Sequence, residues 1–240
     1  MNGSIDPMLY LQDYELQCKA DLIKPFESDT EHRCALILRA VGYTRGKMVV
    51  DLGSGKGRTV ASLQGIRVAV DFSKPYLTHR QFYGKGEHRV RADIECLPMR
   101  DGVADVVICE SVLEHVLHPH IVLAEAERLL KPEGQLIIMV PYREDISVYR
   151  KLPYKYTHLR TFDDETLAVL LGNFAIRRKL GVDASQVPQV AYYGINKLKC
   201  HAPRRMRTFR IALMLILDRI LCVFTPFLFQ LVIAGKARDS

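Results

Sequence analysis

Short apolar runs alternate with stretches of helical spacing along most of the chain. Met48-Val49-Val50-Asp51-Leu52 is mainly apolar, carries two β-branched residues and ends in glycines, which predicts a buried parallel strand. Val68-Ala69-Val70-Asp71, a short run near Val90-Arg91-Ala92-Asp93, Val106-Val107-Ile108-Cys109 and Leu136-Ile137-Ile138-Met139-Val140 repeat the pattern. Over residues 119–130, Ile121, Val122, Ala124, Ala126, Leu129 and Leu130 recur as on one helix, which Lys131-Pro132-Glu133-Gly134 stops. Residues 9–40 read as helix in two pieces split near Pro25, with Asp29-Thr30 capping the second and Cys34, Ile37, Leu38 and Val41 on its apolar side. Residues 175–182 and 230–237 predict a sixth and a seventh strand. Apolar strands alternating with helices imply a doubly wound α/β fold, a seven-stranded and mostly parallel sheet covered on both faces.

A chain of 240 residues suits one such domain, and 48% hydrophobic with 25% charged residues allows a core without staples. None of the six cysteines forms a CxxC pair, and Cys96 and Cys109 are expected in apolar surroundings. This fits a reduced, cytoplasmic chain rather than a disulfide framework or a zinc site. The first residues lack a basic region followed by an apolar core, so no signal peptide is expected. Charge is uneven: residues 176–240 hold 12 of the 34 Lys and Arg but only three of the 27 Asp and Glu. An anionic partner, whether phospholipid headgroup, phosphorylated substrate or nucleic acid, would explain this, as would a solvated Arg-rich loop.

The strongest local signal is Asp51-Leu52-Gly53-Ser54-Gly55-Lys56-Gly57. Alternate glycines let the backbone turn tightly after a strand and approach a ligand closely. Alone, that loop serves nicotinamide and flavin cofactors almost as well. Asp71 ends the next strand, where an acid can accept from both hydroxyls of a ribose; in isolation such an Asp more often caps a turn.

With these residues in place, the sequence resembles the class I S-adenosylmethionine (AdoMet)-dependent methyltransferases, in particular the group that includes ubiquinone and menaquinone biosynthesis enzymes. Five pieces occur in the family's order: the loop at Val49 to Gly57, Val70-Asp71, Ala92-Asp93-Ile94-Glu95-Cys96-Leu97-Pro98, Ala104 to Val107 leading into Ser111-Val112-Leu113-Glu114-His115-Val116, and Arg128 to Gly134. The resemblance implies a Rossmann-like AdoMet-binding domain over 46–182, an N-terminal helical lid over 1–45, a helical insertion over 183–229 and a final strand and tail over 230–240. It implies that Asp51, Gly53, Ser54, Gly55 and Gly57 hold the methionine end of AdoMet. Asp71 would hold the ribose, Phe72 and Ile94 would pack on the adenine, and Asp93 would accept from its amino group. Glu110 and Ser111 would lie beside the sulfonium and the acceptor.

His115 and His158 are the candidate bases, since an oxygen or nitrogen acceptor must lose a proton and imidazole titrates near neutral pH. Packing or capping is the plainer role for each, and His118 and His120 are expected on an exposed turn. Tyr10 and Tyr14 could belong to the lid or simply pack. In the ubiquinone O-methyltransferases a metal-binding pattern places an acid three residues before the Glu-His pair. Ser111 stands there in this chain, so no metal is expected.

The segment 204–224 runs from Arg204, Arg205, Arg207 and Arg210 into an apolar helix-like stretch. Asp218, Arg219 and Pro226 argue against a membrane span, leaving a core helix or an interfacial one. The expected acceptor is therefore a small or lipid-like molecule, with peripheral membrane contact through 204–224. Nucleic-acid methylation is the second enzyme class, disfavoured because Cys109-Glu110-Ser111-Val112 lacks the motifs of such enzymes. A non-catalytic AdoMet-binding partner protein is the third reading.

Overall fold

The structure, a computed structural model, describes residues 29–78, 86–147, 158–184 and 227–237, together with Gln12, Tyr14, Leu16 and Cys18. Seven strands form one sheet: β1 (Met48–Leu52), β2 (Ile66–Asp71), β3 (Glu87–Arg91), β4 (Ala104–Glu110), β5 (Leu130–Pro141), β6 (Phe174–Ala184) and β7 (Phe227–Lys236). Their spatial order is β3-β2-β1-β4-β5-β7-β6. The first five pair in parallel, whereas β7 runs antiparallel to both β5 and β6. The described helices are α1 (Asp29–Val41), α2 (Arg58–Ala61), α3 (Lys74–Leu77), α4 (Pro119–Leu129) and α5 (Asp164–Leu170).

Strand alternation divides the core between the faces. Val50, Leu52, Val107, Cys109, Leu136, Ile138 and Val140 pack with Val122, Leu123, Ala126 and Leu129 of α4 and Leu167 of α5. Val49, Val106, Ile108, Ile137 and Met139 face the other way, onto Ile37 and Val41 of α1. The second N-terminal helix is therefore a wall of the fold. Within the segment 1–45 expected as a lid, Ile37 and Val41 thus pack on the sheet.

Other boundaries shift for physical reasons. β3 lies at Glu87–Arg91 rather than around Val90–Asp93 because it is an edge strand, marked by its ladder with β2 and by the Arg67–Glu87 ion pair at 3.1 Å rather than by apolarity. The expected stop at Lys131 to Gly134 is extended chain: β5 leaves α4 directly and pairs Leu130 with Ala104, then shifts register to pair Gln135 with Val106. Gly134 is needed there, since a Cβ would lie 2.8 Å from Leu130 Cδ2 and 2.9 Å from the Lys131 carbonyl oxygen. Cys109 is buried as expected. Cys96 is exposed, because it lies in a turn whose Ile94 and Leu97 point inward in its stead. The seventh strand begins at Phe227, three residues before the expected start.

Residues 185–226, including the basic and apolar stretch 204–224, lie outside the described residues, as does Tyr10. Among the described residues no helix is long and apolar enough to cross a membrane.

Candidate active site

β2 and β4 flank β1 on opposite sides, so the connections leaving β1 and β4 depart in opposite directions and open a crevice at their carboxyl ends. The glycine loop fills the β1 side of it. Gly53, Gly55 and Gly57 all have positive φ (66°, 51° and 76°), and the Ser54 N–H donates to the Val70 carbonyl at 2.9 Å. The first two are glycine for different reasons. A Cβ on Gly53 would lie 2.5 Å from Val112 Cγ2, whereas one on Gly55 would have nothing within 4 Å. Gly53 is demanded by packing, and Gly55 borders open space.

Asp71 joins this loop to the end of β2. Its Oδ2 accepts the Gly55 N–H at 2.8 Å and its Oδ1 the Ser73 N–H at 2.7 Å, while the Tyr14 hydroxyl donates to the same carboxylate. The residue is only 1% exposed, and burial raises its carboxyl above the ordinary range against those bonds. Asp51, buried at the end of β1, is raised well above that range by burial and by the Glu110 and Asp71 carboxyls. Burial raises Glu110 as well, opposed by the Thr59 hydroxyl, which donates to it at 2.8 Å. Such carboxyls favour a cationic ligand, whose charge would offset the cost of ionising them.

The remaining expected contacts line the same edge. Arg91 stacks over the Phe72 ring at 5.5 Å and donates to the Phe72 carbonyl. The Ala92 N–H donates to the Asp71 carbonyl, which brings exposed Asp93 and buried Ile94 beside the end of β2; Asp93 itself accepts the Glu95 N–H. Ser111 adopts left-handed backbone (φ 52°), its N–H bound to the Met139 carbonyl.

On the far side of the crevice, the turn after β4 meets the segment after β5. The Leu159 N–H donates to the Glu114 carbonyl at 2.8 Å, placing His158 against His115, ring centroids 4.7 Å apart and nearly perpendicular. His158 Nδ1 pairs with Glu144, and Arg160 holds the turn by donating to the Leu113, Val116 and Leu117 carbonyls. Glu114 is 1% exposed, and among the described residues no donor meets either carboxylate oxygen with full hydrogen-bond geometry. Burial, reinforced by nearby Glu144, pushes its carboxyl up to about 8, against the pull of its own backbone N–H. His118 is exposed and bound to Glu95.

Sequence reading missed Thr59, Glu144 and Arg160. For Glu144 a signal existed, its position just beyond the carboxyl end of an apolar parallel strand. Thr59 and Arg160 act across the fold, and nothing adjacent in sequence marks them.

Residues 50–138 match a family described as a methyltransferase domain. The chain is similar to a probable S-adenosylmethionine-dependent methyltransferase of Mycolicibacterium smegmatis, 27% identical over 157 residues, 63% of this chain and 57% of that protein. It is 35% identical over 106 residues to the demethylmenaquinone methyltransferase of Clavibacter sepedonicus, 42% and 43% of the two chains. The chain thus spans about half the length of these curated relatives. Among solved structures, the 1,6-didemethyltoxoflavin-N1-methyltransferase of Burkholderia thailandensis, with S-adenosylhomocysteine and 1,6-didemethyltoxoflavin bound, superposes with TM-score 0.65. At 17% identity over 99% of this chain and 93% of that one, it is a likeness of fold.

Proposed function

We propose that the chain, whose residues 50–138 match a methyltransferase domain, is a class I AdoMet-dependent enzyme that transfers a methyl group from AdoMet to a small-molecule or lipid-like acceptor. The observation that carries the reading is the junction of Gly55 and Asp71, which sets a buried strand-end acid against a loop bordering open space at the crevice. AdoMet supplies an activated methyl group, which leaves its sulfonium as the bond to the acceptor forms. Gly55 leaves room for the methionine end, with Gly53, Ser54 and Gly57 shaping the loop. Asp71 holds the ribose, Phe72, Asp93 and Ile94 hold the adenine, and Asp51 and Glu110 offset the positive charge. Ser111 lies at the acceptor.

His158 takes the acceptor's proton at Nε2. Glu144 accepts from Nδ1–H, which fixes that tautomer and stabilises the imidazolium once formed. His115 packs against the ring and confines it. The rest of the protein's contribution is alignment of donor and acceptor. A lipid-like acceptor draws support from the menaquinone relative and from the basic and apolar segment 204–224, which we read as a peripheral membrane contact of a cytoplasmic enzyme.

The test follows labelled methyl from AdoMet into a fractionated cell extract, with Asp71→Asn as the control. An Asn amide must turn its NH2 toward either the Gly55 or the Ser73 N–H. One donor stays unpaired and the charged ribose bonds weaken, each bond to a charged group being worth about 1.5–3 kcal/mol. AdoMet affinity is expected to fall about 100-fold, and label in the organic-extractable fraction to disappear. Label in RNA would replace this reading by nucleic-acid methylation. AdoMet binding without label in any fraction would favour a non-catalytic partner protein.

A further inference from the structure

Glu114 poses a problem that the methyl-transfer reading does not use. A carboxylate buried without a hydrogen-bond partner is costly, and such groups are kept where something else meets them. Here that environment is two imidazoles. One ligand atom each from Glu114, His115 and His158 lies within 4.8 Å of the others. We propose that these three side chains bind a divalent transition-metal ion of the zinc class.

Three features beyond the clustering support this. The first is the donor set: two imidazoles and one carboxylate suit zinc, cobalt, nickel or iron, whereas magnesium and calcium prefer oxygen donors and water. The second is the shell behind it. His158 offers Nδ1–H to Glu144, the carboxylate–histidine pairing that fixes the ring of a metal-bound histidine and leaves Nε2 as the ligand. The third is rigidity. Arg160 ties the turn 113–117 together, and the Leu159 N–H ties it to the segment carrying His158, so all three side chains hang from one braced unit. Ligand lengths of about 2.0–2.1 Å place tetrahedral donors roughly 3.3 Å apart, a gap that side-chain rotation can close. Charge agrees, with Glu114 and Glu144 on the site and the Arg160 guanidinium engaged by carbonyl oxygens.

The ligand set differs from the acid-first pattern of the ubiquinone O-methyltransferases. Ser111 occupies that acid's place, and the third ligand comes from the far side of the crevice. The binding claim stands apart from methyl transfer. Its effect on turnover rests on the proposed function: a bound ion takes the Nε2 lone pair that would accept the acceptor's proton, so metal and proton transfer exclude each other at His158.

The experiment titrates metal-free full-length protein with Co2+ and reads the visible d–d absorption, then displaces it with Zn2+ and, separately, with Mg2+. Tetrahedral-type bands at one ion per chain are expected, lost to Zn2+ and unaffected by Mg2+. Glu114→Gln and His158→Asn should each weaken binding at least tenfold, and Glu144→Gln by about 10- to 100-fold through the second shell. Circular dichroism identifies variants that stay folded, and Glu144→Gln serves if the buried ones do not. Absence of Co2+ bands, or unchanged binding in folded variants, overturns the site. Zn2+ is expected to suppress label transfer as it fills the site. If no transfer occurs without metal either, the methyl-transfer reading fails while the Co2+ spectrum still decides this one.

Discussion

Replacing Gly53 with alanine places a methyl group 2.5 Å from Val112 Cγ2 and 3.2 Å from Cγ1, on backbone with φ 66°. The left-handed conformation costs an alanine about 1 kcal/mol, and forcing a methyl into a packed site costs about 1–3 kcal/mol more. Gly53→Ala should therefore lose about 2–4 kcal/mol of stability. Gly55→Ala meets nothing within 4 Å and should lose only the backbone part, about 1 kcal/mol. Val112 is 6% exposed, and Val112→Ala alone should cost about 2 kcal/mol. In Gly53→Ala/Val112→Ala the new methyl occupies space that the valine vacated, so the losses should fall short of additivity by about 1–3 kcal/mol. Urea unfolding of the wild type, the two single variants and the double variant measures this directly, and AdoMet titration separates the glycines. Gly55→Ala should weaken AdoMet binding at least about tenfold for little stability lost. Additivity within about 0.5 kcal/mol would refute the assignment of Gly53 to packing against Val112.

Three further outcomes are expected. Tyr14→Phe removes a hydroxyl that holds the buried Asp71 carboxylate, which on the proposed reading binds the ribose. AdoMet should bind it about tenfold tighter by calorimetry, and weaker binding would mean that Tyr14 stays in place and assists. Arg160→Lys cannot span three carbonyls with one ammonium, and denaturant unfolding should show a loss of about 2–3 kcal/mol; a loss below about 0.5 kcal/mol would mean that water replaces the fork. Glu125 is held below the ordinary carboxylate range by Arg128 and accepts the Leu97 N–H at 2.7 Å. Glu125→Gln should cost about 1–2 kcal/mol at neutral pH. The folded carboxyl ionises at lower pH than the unfolded one, so this penalty should hold above about pH 5 and shrink as pH falls through the folded value. A penalty independent of pH would show that the ion pair is not its source.

Buried strands were the most legible part of the chain. Val49-Val50, Val68 to Val70 and Val106 to Cys109 are apolar because both sheet faces are covered, and that composition is local information. β3 was harder to place, since an edge strand of Glu87, His88, Arg89 and Arg91 is specified by its neighbour. α5 escaped notice because its capping box closes with Thr166 at the position where Glu or Gln is usual. In the site, Asp71 and the glycine loop were readable as a pair, Asp71 standing twenty residues after Asp51, and the structure brings Gly55 and Asp71 into contact. His115 and His158 were singled out separately; that their rings touch depends on a hydrogen bond from Leu159 to Glu114 that no spacing rule reports. Tyr14 on Asp71 is a contact of the same kind.

The position of β7 bears on how the molecule is made. It lies between β5 and β6 in space yet follows both in the chain. While the polypeptide is still emerging from the ribosome, β5 has one open edge, and β6, which pairs only with β7, has no ladder at all. The backbone donors and acceptors of both strands that later meet β7 stay open until residues 227–236 arrive. Open edges of this kind recruit strands from other chains, so the interval between synthesis of β6 and of β7 leaves a nascent copy exposed to aggregation.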